Sequence, residues 1–248
     1  AAEPLHEQIT DWQREFQKEI GNNHAKYFDK NGWLYFTKET FDLLYPSYGD
    51  TYPTFLGAIG MTYEQAGGGD AGLGVLNSEN EVLSLIDRIN HHTTTGLSTV
   101  EISSLNAKRL NIEFKDFFKS NNNSKISYVI KGNNDKIKSL TNLLDQHEII
   151  YGYAKNNNRV NGFNYLANKE IKIDIDKNDL IISANQPKGK LVEILLEQKT
   201  KLSDPLTYDI TAWSLPYAYG LNASVIDVKV ETINEISNFK LNEISSNS

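Results

Sequence analysis

Hydrophobic and polar positions alternate with a helical period near the start of the chain. Four apolar residues recur three or four positions apart between charged neighbours: Ile9, Trp12, Phe16 and Ile20. This spacing predicts an amphipathic helix. We expect it over residues 4–20, with the glycine and two asparagines at positions 21–23 ending it.

Short apolar runs separated by turn residues follow this helix. Residues 33–36 and 56–63 predict strands, the second of them buried. Between them, residues 45–53 combine two prolines and a glycine with three tyrosines, which is typical of an exposed loop that carries amphipathic rings. Glu64 stands at the end of the second run, directly before the glycine-rich residues 66–72.

Two helical patterns and a polar linker complete the first half of the chain. One helix is expected from Val82 to Ile89, and a second, after an interruption at Gly96, from Val100 to Phe118. The polar residues 120–124 then mark the preferred domain boundary.

The pattern after the linker is that of a βα unit followed by further strands and another helix. Strands are predicted over residues 126–130, 149–153, 163–165, 171–175 and 180–183, and helices over 137–144 and 191–195. The sequence therefore predicts an α/β fold in three parts: a first domain over residues 1–120, a smaller α/β module over 125–233 and a polar tail over 234–248.

Composition narrows the range of partners. Hydrophobic residues make up 39% of the chain and charged residues 23%, as in globular proteins. The net charge of -7 argues against binding to nucleic acid, which depends on lysine and arginine clusters. No apolar run approaches the ~20 residues of a membrane-spanning helix, and no export signal opens the chain.

Glu64 is the first candidate for chemistry. A carboxylate at the end of a packed strand can face a cleft, and partial desolvation raises the pKa of such a group, which suits it to take and return a proton. The alternative is an ordinary surface glutamate, and the local pattern does not decide between them.

Two other kinds of site are considered and set aside. Residues 67–72 match the G-x-G-x-x-G spacing of dinucleotide-binding loops, but residues 73–77 do not begin a helix, and Glu64 and Asp70 would repel phosphate. The five histidines form no H-E-x-x-H motif and have no obvious third ligand, so no metal site is expected within this chain.

Three stretches of the first half resemble a known family. Residues 32–39, 42–53 and 57–65 are similar to the C-terminal part of bacterial zinc carboxypeptidases related to carboxypeptidase A. The resemblance continues through residues 87–94 to about Phe118. Residues 185–187 and 206–220 look like the module that follows the peptidase domain in large, secreted members.

The resemblance implies roles for a few residues. Glu64 matches the family's catalytic glutamate, which activates the zinc-bound water and then protonates the leaving amine. Tyr45 is the best match for the tyrosine that folds over the substrate, with Tyr48 and Tyr52 as rivals. The family's zinc ligands, an H-x-x-E pair and a later histidine, precede the catalytic glutamate, and this chain contains neither them nor the arginine and asparagine that bind the substrate carboxylate.

The resemblance thus implies the C-terminal part of a zinc metallocarboxypeptidase that acts on peptide or protein C-termini. It also implies that residues 1–120 are the C-terminal part of a carboxypeptidase-like, mixed-sheet α/β catalytic domain. Zinc is expected in the intact family member, and this chain alone is expected to be inactive. We also expect association with the missing upstream segment or self-association, and a secreted, periplasmic or cell-surface location. The alternative is a non-catalytic peptide- or glycan-binding or structural protein that uses the tyrosine-rich loop or Trp213 for ligand contact.

Overall fold

The computed structural model confirms the α/β class, with 38% of the chain helical and 19% in strands. The residues that it describes are 1–65, 72–77, 79–119, 123–208 and 212–233. Most of the glycine-rich loop and the whole predicted tail lie outside these ranges. None of the described helices is both long and apolar enough to cross a lipid bilayer.

The described residues form two compact units. The first contains residues 1–115 and also residues 202–208, and the second contains residues 116–201 and 212–233. The sequence predicts one break, between residues 120 and 125, and does not predict that residues 202–208 return to the first unit.

The first unit is mainly helical. Its helices are α1 (Asp11–Asn31), α2 (Thr51–Phe55), α3 (Leu85–Leu105) and all but the last two residues of α4 (Ala107–Phe117), and its described strands are β1 (Gly74–Leu76) and β2 (Val82–Ser84). The two strands form an antiparallel hairpin in which Leu76 is opposite Val82. A short parallel contact between Leu5 and Leu43 joins the start of the chain to the segment before the tyrosine-rich loop.

Helix α1 begins seven residues later and ends eleven residues later than the predicted range of residues 4–20. It begins after Thr10, whose backbone N–H donates to Gln13 Oε1 over 3.0 Å in a capping box. It ends at Gly32, whose φ of 66° is the left-handed conformation common at helix C-termini. Residues 21–23 lie inside the helix because tertiary contacts hold them there, including hydrogen bonds from the Asn23 side-chain amide to α3.

Helix α3 runs without a break through Gly96, where the sequence predicts an interruption. His91, before this glycine, packs against Phe28 of α1. Ser98, which follows this glycine, accepts a hydrogen bond from Asn23 of α1. Contacts with α1 on both sides of Gly96 favour one continuous helix despite the low helix propensity of glycine.

The strands predicted over residues 33–36 and 56–63 are not formed. Leu34, Tyr35 and Phe36 are exposed. Residues 51–55 fold instead as α2, and the chain continues to Gln65 without regular secondary structure. An apolar run becomes a strand only where neighbouring strands pair with it, and the described residues place none beside these two runs.

The second unit is built around a seven-stranded sheet in which every pairing is antiparallel. The strand order is β6-β5-β8-β3-β7-β4-β9. Its elements are β3 (Ser127–Lys131), α5 (Asn134–Gln146), β4 (Gly152–Ala154), β5 (Asn158–Asn164), β6 (Lys169–Ile175), β7 (Leu180–Ser183), α6 (Gly189–Leu196), α7 (Leu215–Ala218), β8 (Asn222–Ile226) and β9 (Thr232–Ile233).

The connections in this sheet form two split βαβ units. Helix α5 links β3 to β4 with β7 between them, and α6 lies between β7 and β8 with β3 between these strands. Two interleaved split βαβ units are the topology of ferredoxin-like domains. Here the hairpin β5–β6 is inserted between β4 and β7 and extends the sheet beyond β8.

The inserted hairpin also completes a hydrophobic core. Ile173 and Ile175 of β6 are buried in one cluster with Val129 of β3 and Ile181 of β7, although β6 lies at the edge of the sheet. The hairpin therefore curls over one face of the sheet, which removes apolar surface from water.

Candidate functional site

Glu64 lies in a segment with two distinct faces. From Met61 to Gln65 the side chains alternate between partly buried and exposed, which is the pattern of extended backbone. The carboxylate of Glu64 is on the exposed face. The partial burial that the sequence predicts for Glu64 is therefore not found.

The two neighbours of Glu64 are both fastened to α3. The Tyr63 hydroxyl and Thr99 Oγ1 are hydrogen-bonded over 2.9 Å, and His91 Nδ1 is hydrogen-bonded to Gln65 Oε1, also over 2.9 Å. His91 and Thr99 are eight residues apart, or about 12 Å along the helix. The backbone at Glu64 is thus held on both sides while its carboxylate faces away from the helix.

Two buried glutamines of α1 support the chain that leads to Glu64. Gln13 Nε2 donates to the carbonyl oxygens of Thr54 and Ala58, over 2.8 and 2.7 Å, and Gln17 Nε2 donates to that of Gly60 over 2.8 Å. The sequence analysis did not single out either residue. The available signal is their i, i+4 spacing on the helix face that also carries Phe16 and Ile20.

Asp50 links the tyrosine-rich loop to the Glu64 segment. Its backbone carbonyl accepts from Thr54 Oγ1 over 2.8 Å, and Thr54 Oγ1 accepts in turn from the Gly60 N–H over 3.0 Å. The Asp50 carboxylate accepts from Thr62 Oγ1 over 2.6 Å. These bonds tie residues 50–62 into one closed loop.

Tyr45 and Tyr48, predicted to bind substrate, are brought together by the fold. Their rings meet edge to face, with centroids 5.1 Å apart at an angle of 77°, and both rings are partly exposed. Tyr52, the third tyrosine of the loop, lies in α2, and its backbone N–H donates to the Tyr48 carbonyl oxygen over 3.0 Å. All three tyrosines of the loop are partly exposed.

His24 of α1 packs behind the Glu64 segment. Its Nδ1 lies 2.9 Å from Ser98 Oγ, and its ring meets that of Tyr63 edge to face at 4.9 Å. Its Nε2 is buried and has no hydrogen-bond partner among the described residues. Burial lowers the pKa of His24 below its usual value, because a protonated imidazole would lose hydration there.

This lowered pKa predicts a pH dependence of stability. At neutral pH the histidine is neutral in both states. As the pH falls below about 6.5, the unfolded state binds the proton first, so the free energy of unfolding decreases toward the lower folded-state pKa. Urea unfolding at pH 7.5 and pH 5.0 measures how much the free energy of unfolding decreases between the two. This decrease should be smaller in His24→Gln than in the wild type. His92→Gln, at an exposed position of α3, is the control; an equal loss in all three proteins would contradict the prediction.

The zinc that the resemblance implies needs protein ligands, and the described residues do not provide them. No group of three histidine, aspartate, glutamate or cysteine side chains in the described ranges could hold a metal ion. The groups nearest to Glu64 in the chain are hydroxyls and amides, and His91 Nδ1 is already bonded to Gln65. Zinc therefore does not fit the part of the chain that the structure describes.

Two other features were considered as sites in the sequence: Trp213 and the G-x-G-x-x-G pattern. Trp213 is partly buried, and its indole N–H donates to the Ile194 carbonyl oxygen over 3.0 Å, which makes it a packing anchor of the second unit. Gly72, the last glycine of the G-x-G-x-x-G pattern, leads into strand β1 rather than a helix, and residues 66–71 lie outside the described residues.

Comparisons with known proteins identify no relative. No family model matches the chain, and no curated protein or solved structure shows significant similarity to it. The function must therefore be argued from the residues themselves.

Proposed function

We propose that this chain supplies the general-base region of a zinc-dependent metallocarboxypeptidase, with Glu64 as the base. The observation that carries the proposal is the exposed carboxylate of Glu64 on a backbone fastened at both neighbours. The resemblance of residues 32–65 to zinc carboxypeptidases supports it independently.

Glu64 would act first as a base and then as an acid. Its carboxylate takes a proton from the water that attacks the peptide carbonyl and returns it to the leaving nitrogen. Fixing the backbone at Tyr63 and Gln65 restricts where the carboxylate can lie, and positioning of this kind contributes to catalysis. The zinc that such enzymes use needs ligands that the described residues do not provide.

The proposed substrates are the C-termini of peptides or proteins. Tyr45 and Tyr48 present partly exposed rings with hydroxyl groups, which can cover an apolar side chain and still bond to a peptide group. Asp50 links their loop to the segment that carries Glu64. Because the resemblance is to secreted enzymes, we also propose a secreted, periplasmic or cell-surface location.

An exposed apolar stripe on α3 supports association with further polypeptide. Ile86, Ile89, Leu97 and Val100 are 69%, 53%, 66% and 66% exposed. They lie within about 80° of one another around the helix axis, and α1 packs against the other side of the helix. A contiguous apolar surface that is exposed on a folded unit is typical of a site of contact with further polypeptide. The upstream part of a peptidase domain and a second copy of the chain are the two candidates to cover the stripe.

Release of C-terminal amino acids tests the proposed function. The purified chain should release none, and a polypeptide extended upstream to include the zinc ligands should release them in a zinc-dependent, chelator-sensitive way. Turnover by the chain alone would contradict its assignment as an incomplete enzyme. No zinc and no turnover in either protein would contradict the peptidase proposal.

The second candidate is a non-catalytic peptide- or glycan-binding protein. The partly exposed tyrosine rings on a loop closed by hydrogen bonds favour it, because they can bind a ligand without a metal. In that case the extended polypeptide binds peptides or glycans and leaves them intact.

A further inference from the structure

Helix α3 presents its apolar stripe to solvent on the side that faces away from α1. The stripe contains Ile86, Ile89, Leu97 and Val100, each of them more than half exposed. Residues 89–100 include no aspartate, glutamate, lysine or arginine, although such residues make up 23% of the whole chain. A long surface that is both apolar and uncharged is typical of an interface, because it is unfavourable in contact with water.

The middle of the stripe has small side chains where its ends have large ones. Thr93 and Gly96 lie between Ile89 and Val100 along the helix, and both are exposed. A Cβ atom at Gly96 would meet nothing within 4 Å, so no contact in the described part of the chain requires a glycine there. Glycine weakens a helix relative to alanine, but small residues let a second helix approach closely, because side-chain size sets the distance between packed helices.

The order of sizes along the stripe is the same from either end. Ile89, Thr93, Gly96 and Val100 follow one another at spacings of four, three and four residues. In two antiparallel α3 helices related by a twofold axis between Thr93 and Gly96, Ile89 of one copy lies opposite Val100 of the other. The two small residues likewise lie opposite each other. A twofold interface requires such self-complementarity, so the stripe fits a second copy of the same helix.

The area of the stripe is sufficient for a weak dimer. Each of its four large side chains exposes about 100 Å² of apolar surface, so two copies would bury about 800 Å² of it. Exposed polar residues beside the stripe, such as Asn90 and Ser104, bring the buried area close to the lower limit of about 1,200 Å² for specific interfaces. We therefore expect a dissociation constant on the order of 10 μM.

Charged groups do not oppose pairing at this surface. Glu101 follows Val100 in the sequence, but its carboxylate accepts hydrogen bonds from the Asn23 amide and the Tyr27 hydroxyl, over 2.9 and 2.8 Å. Both donors belong to α1, so the carboxylate is directed to the side of α3 away from the stripe. Two paired stripes would therefore bring no like charges together.

We propose that the chain forms a symmetric dimer in which two α3 helices pack antiparallel at Gly96, with Ile89 of one copy opposite Val100 of the other. The inference goes beyond the proposed function, because it assigns the stripe to a second copy and depends on neither zinc nor Glu64.

Sedimentation velocity of the purified 248-residue chain, from about 1 to about 200 μM, tests this inference. The mean mass should rise with concentration from 28.0 kDa toward twice that value. Val100→Glu should raise the dissociation constant at least about tenfold, because it places an unpaired carboxylate against an apolar side chain. Leu166→Glu is the matched control, since Leu166 has the same 66% exposure in the second unit, and it should dimerise like the wild type.

A mixture of two variants tests the antiparallel arrangement. Ile89→Lys and Val100→Glu should each dimerise weakly alone. Mixed together, they should associate at least about fivefold more tightly than either variant alone, because the lysine of one copy lies opposite the glutamate of the other. A parallel arrangement would place position 89 opposite 89 and 100 opposite 100, so mixing would restore nothing and the inference would be overturned.

Gly96→Leu fills the point of closest approach and should also weaken the dimer. The monomer should keep its far-UV circular dichroism, because the space at Gly96 is open within one copy. A chain that stays monomeric throughout would overturn the inference and favour upstream polypeptide as the cover of the stripe. A dimer unaffected by Val100→Glu and Gly96→Leu would overturn it too. None of these outcomes bears on the proposed function, whose assay measures zinc-dependent release of C-terminal amino acids.

Discussion

Replacement of Glu64 with glutamine is expected to lower kcat/KM for release of C-terminal residues by about 10²–10⁴-fold in the upstream-extended polypeptide. Glutamine has nearly the same shape but cannot accept and return a proton. The hydrogen bonds of Tyr63 and Gln65 to α3 do not involve the Glu64 side chain. The substitution should therefore leave the segment in place and remove only the proton transfer.

Two controls belong to this measurement. Glu81→Gln makes the same chemical change at an exposed position next to β2 and should keep full activity. Peptide binding by Glu64→Gln should stay within about twofold of the wild type, because the tyrosine rings are unchanged. Activity of Glu64→Gln close to that of the wild type would show that Glu64 is not the base.

Replacement of Gly60 with alanine is expected to destabilise the first unit by about 3 kcal/mol. A Cβ atom at this position would lie 1.8 Å from the Asp50 carbonyl oxygen and 2.6 Å from Thr54 Oγ1. The backbone must move to relieve this overlap, because the closest atom belongs to the main chain. The movement would also strain the bonds from Gln17 to the Gly60 carbonyl oxygen and from the Gly60 N–H to Thr54.

Hydrogen exchange resolved by peptide measures this effect separately in the two units. Amides of residues 11–31 should exchange faster in Gly60→Ala, and amides of residues 127–131 should not change. Gly49→Ala is the matched control, because a Cβ atom there meets nothing within 4 Å. Equal protection in both variants would mean that residues 50–60 are not packed as closely as the structure shows.

The second unit could largely be predicted from the sequence. Strand β7 was predicted at its observed bounds, and the predictions for β3, β6, α5 and α6 overlap the observed elements. These segments have strong local periodicity with turn residues between them, so local preference and tertiary structure agree. The interleaved strand order was not predicted, because it depends on pairings between distant residues.

The first unit was predicted less well for a related reason. Residues 33–36 and 56–63 have the composition of strands, but a strand also needs a partner. Gly21 and Gly96 look like helix breaks, but contacts between α1 and α3 keep both helices continuous. In these places the tertiary contacts outweighed the local preference.

Some features of the candidate site could likewise be predicted from the sequence, and others depended on tertiary contacts. The sequence by itself determined the α/β class and predicted Glu64 and the tyrosine-rich loop as candidate site residues, because residue type and order are enough to recognise such patterns. Only the tertiary structure showed that Gln13 and Gln17 support the Glu64 segment and that Tyr208 joins Tyr48. Hydrogen bonds and ring contacts between residues 40 or more positions apart depend on how the chain folds back on itself, and no local pattern encodes them.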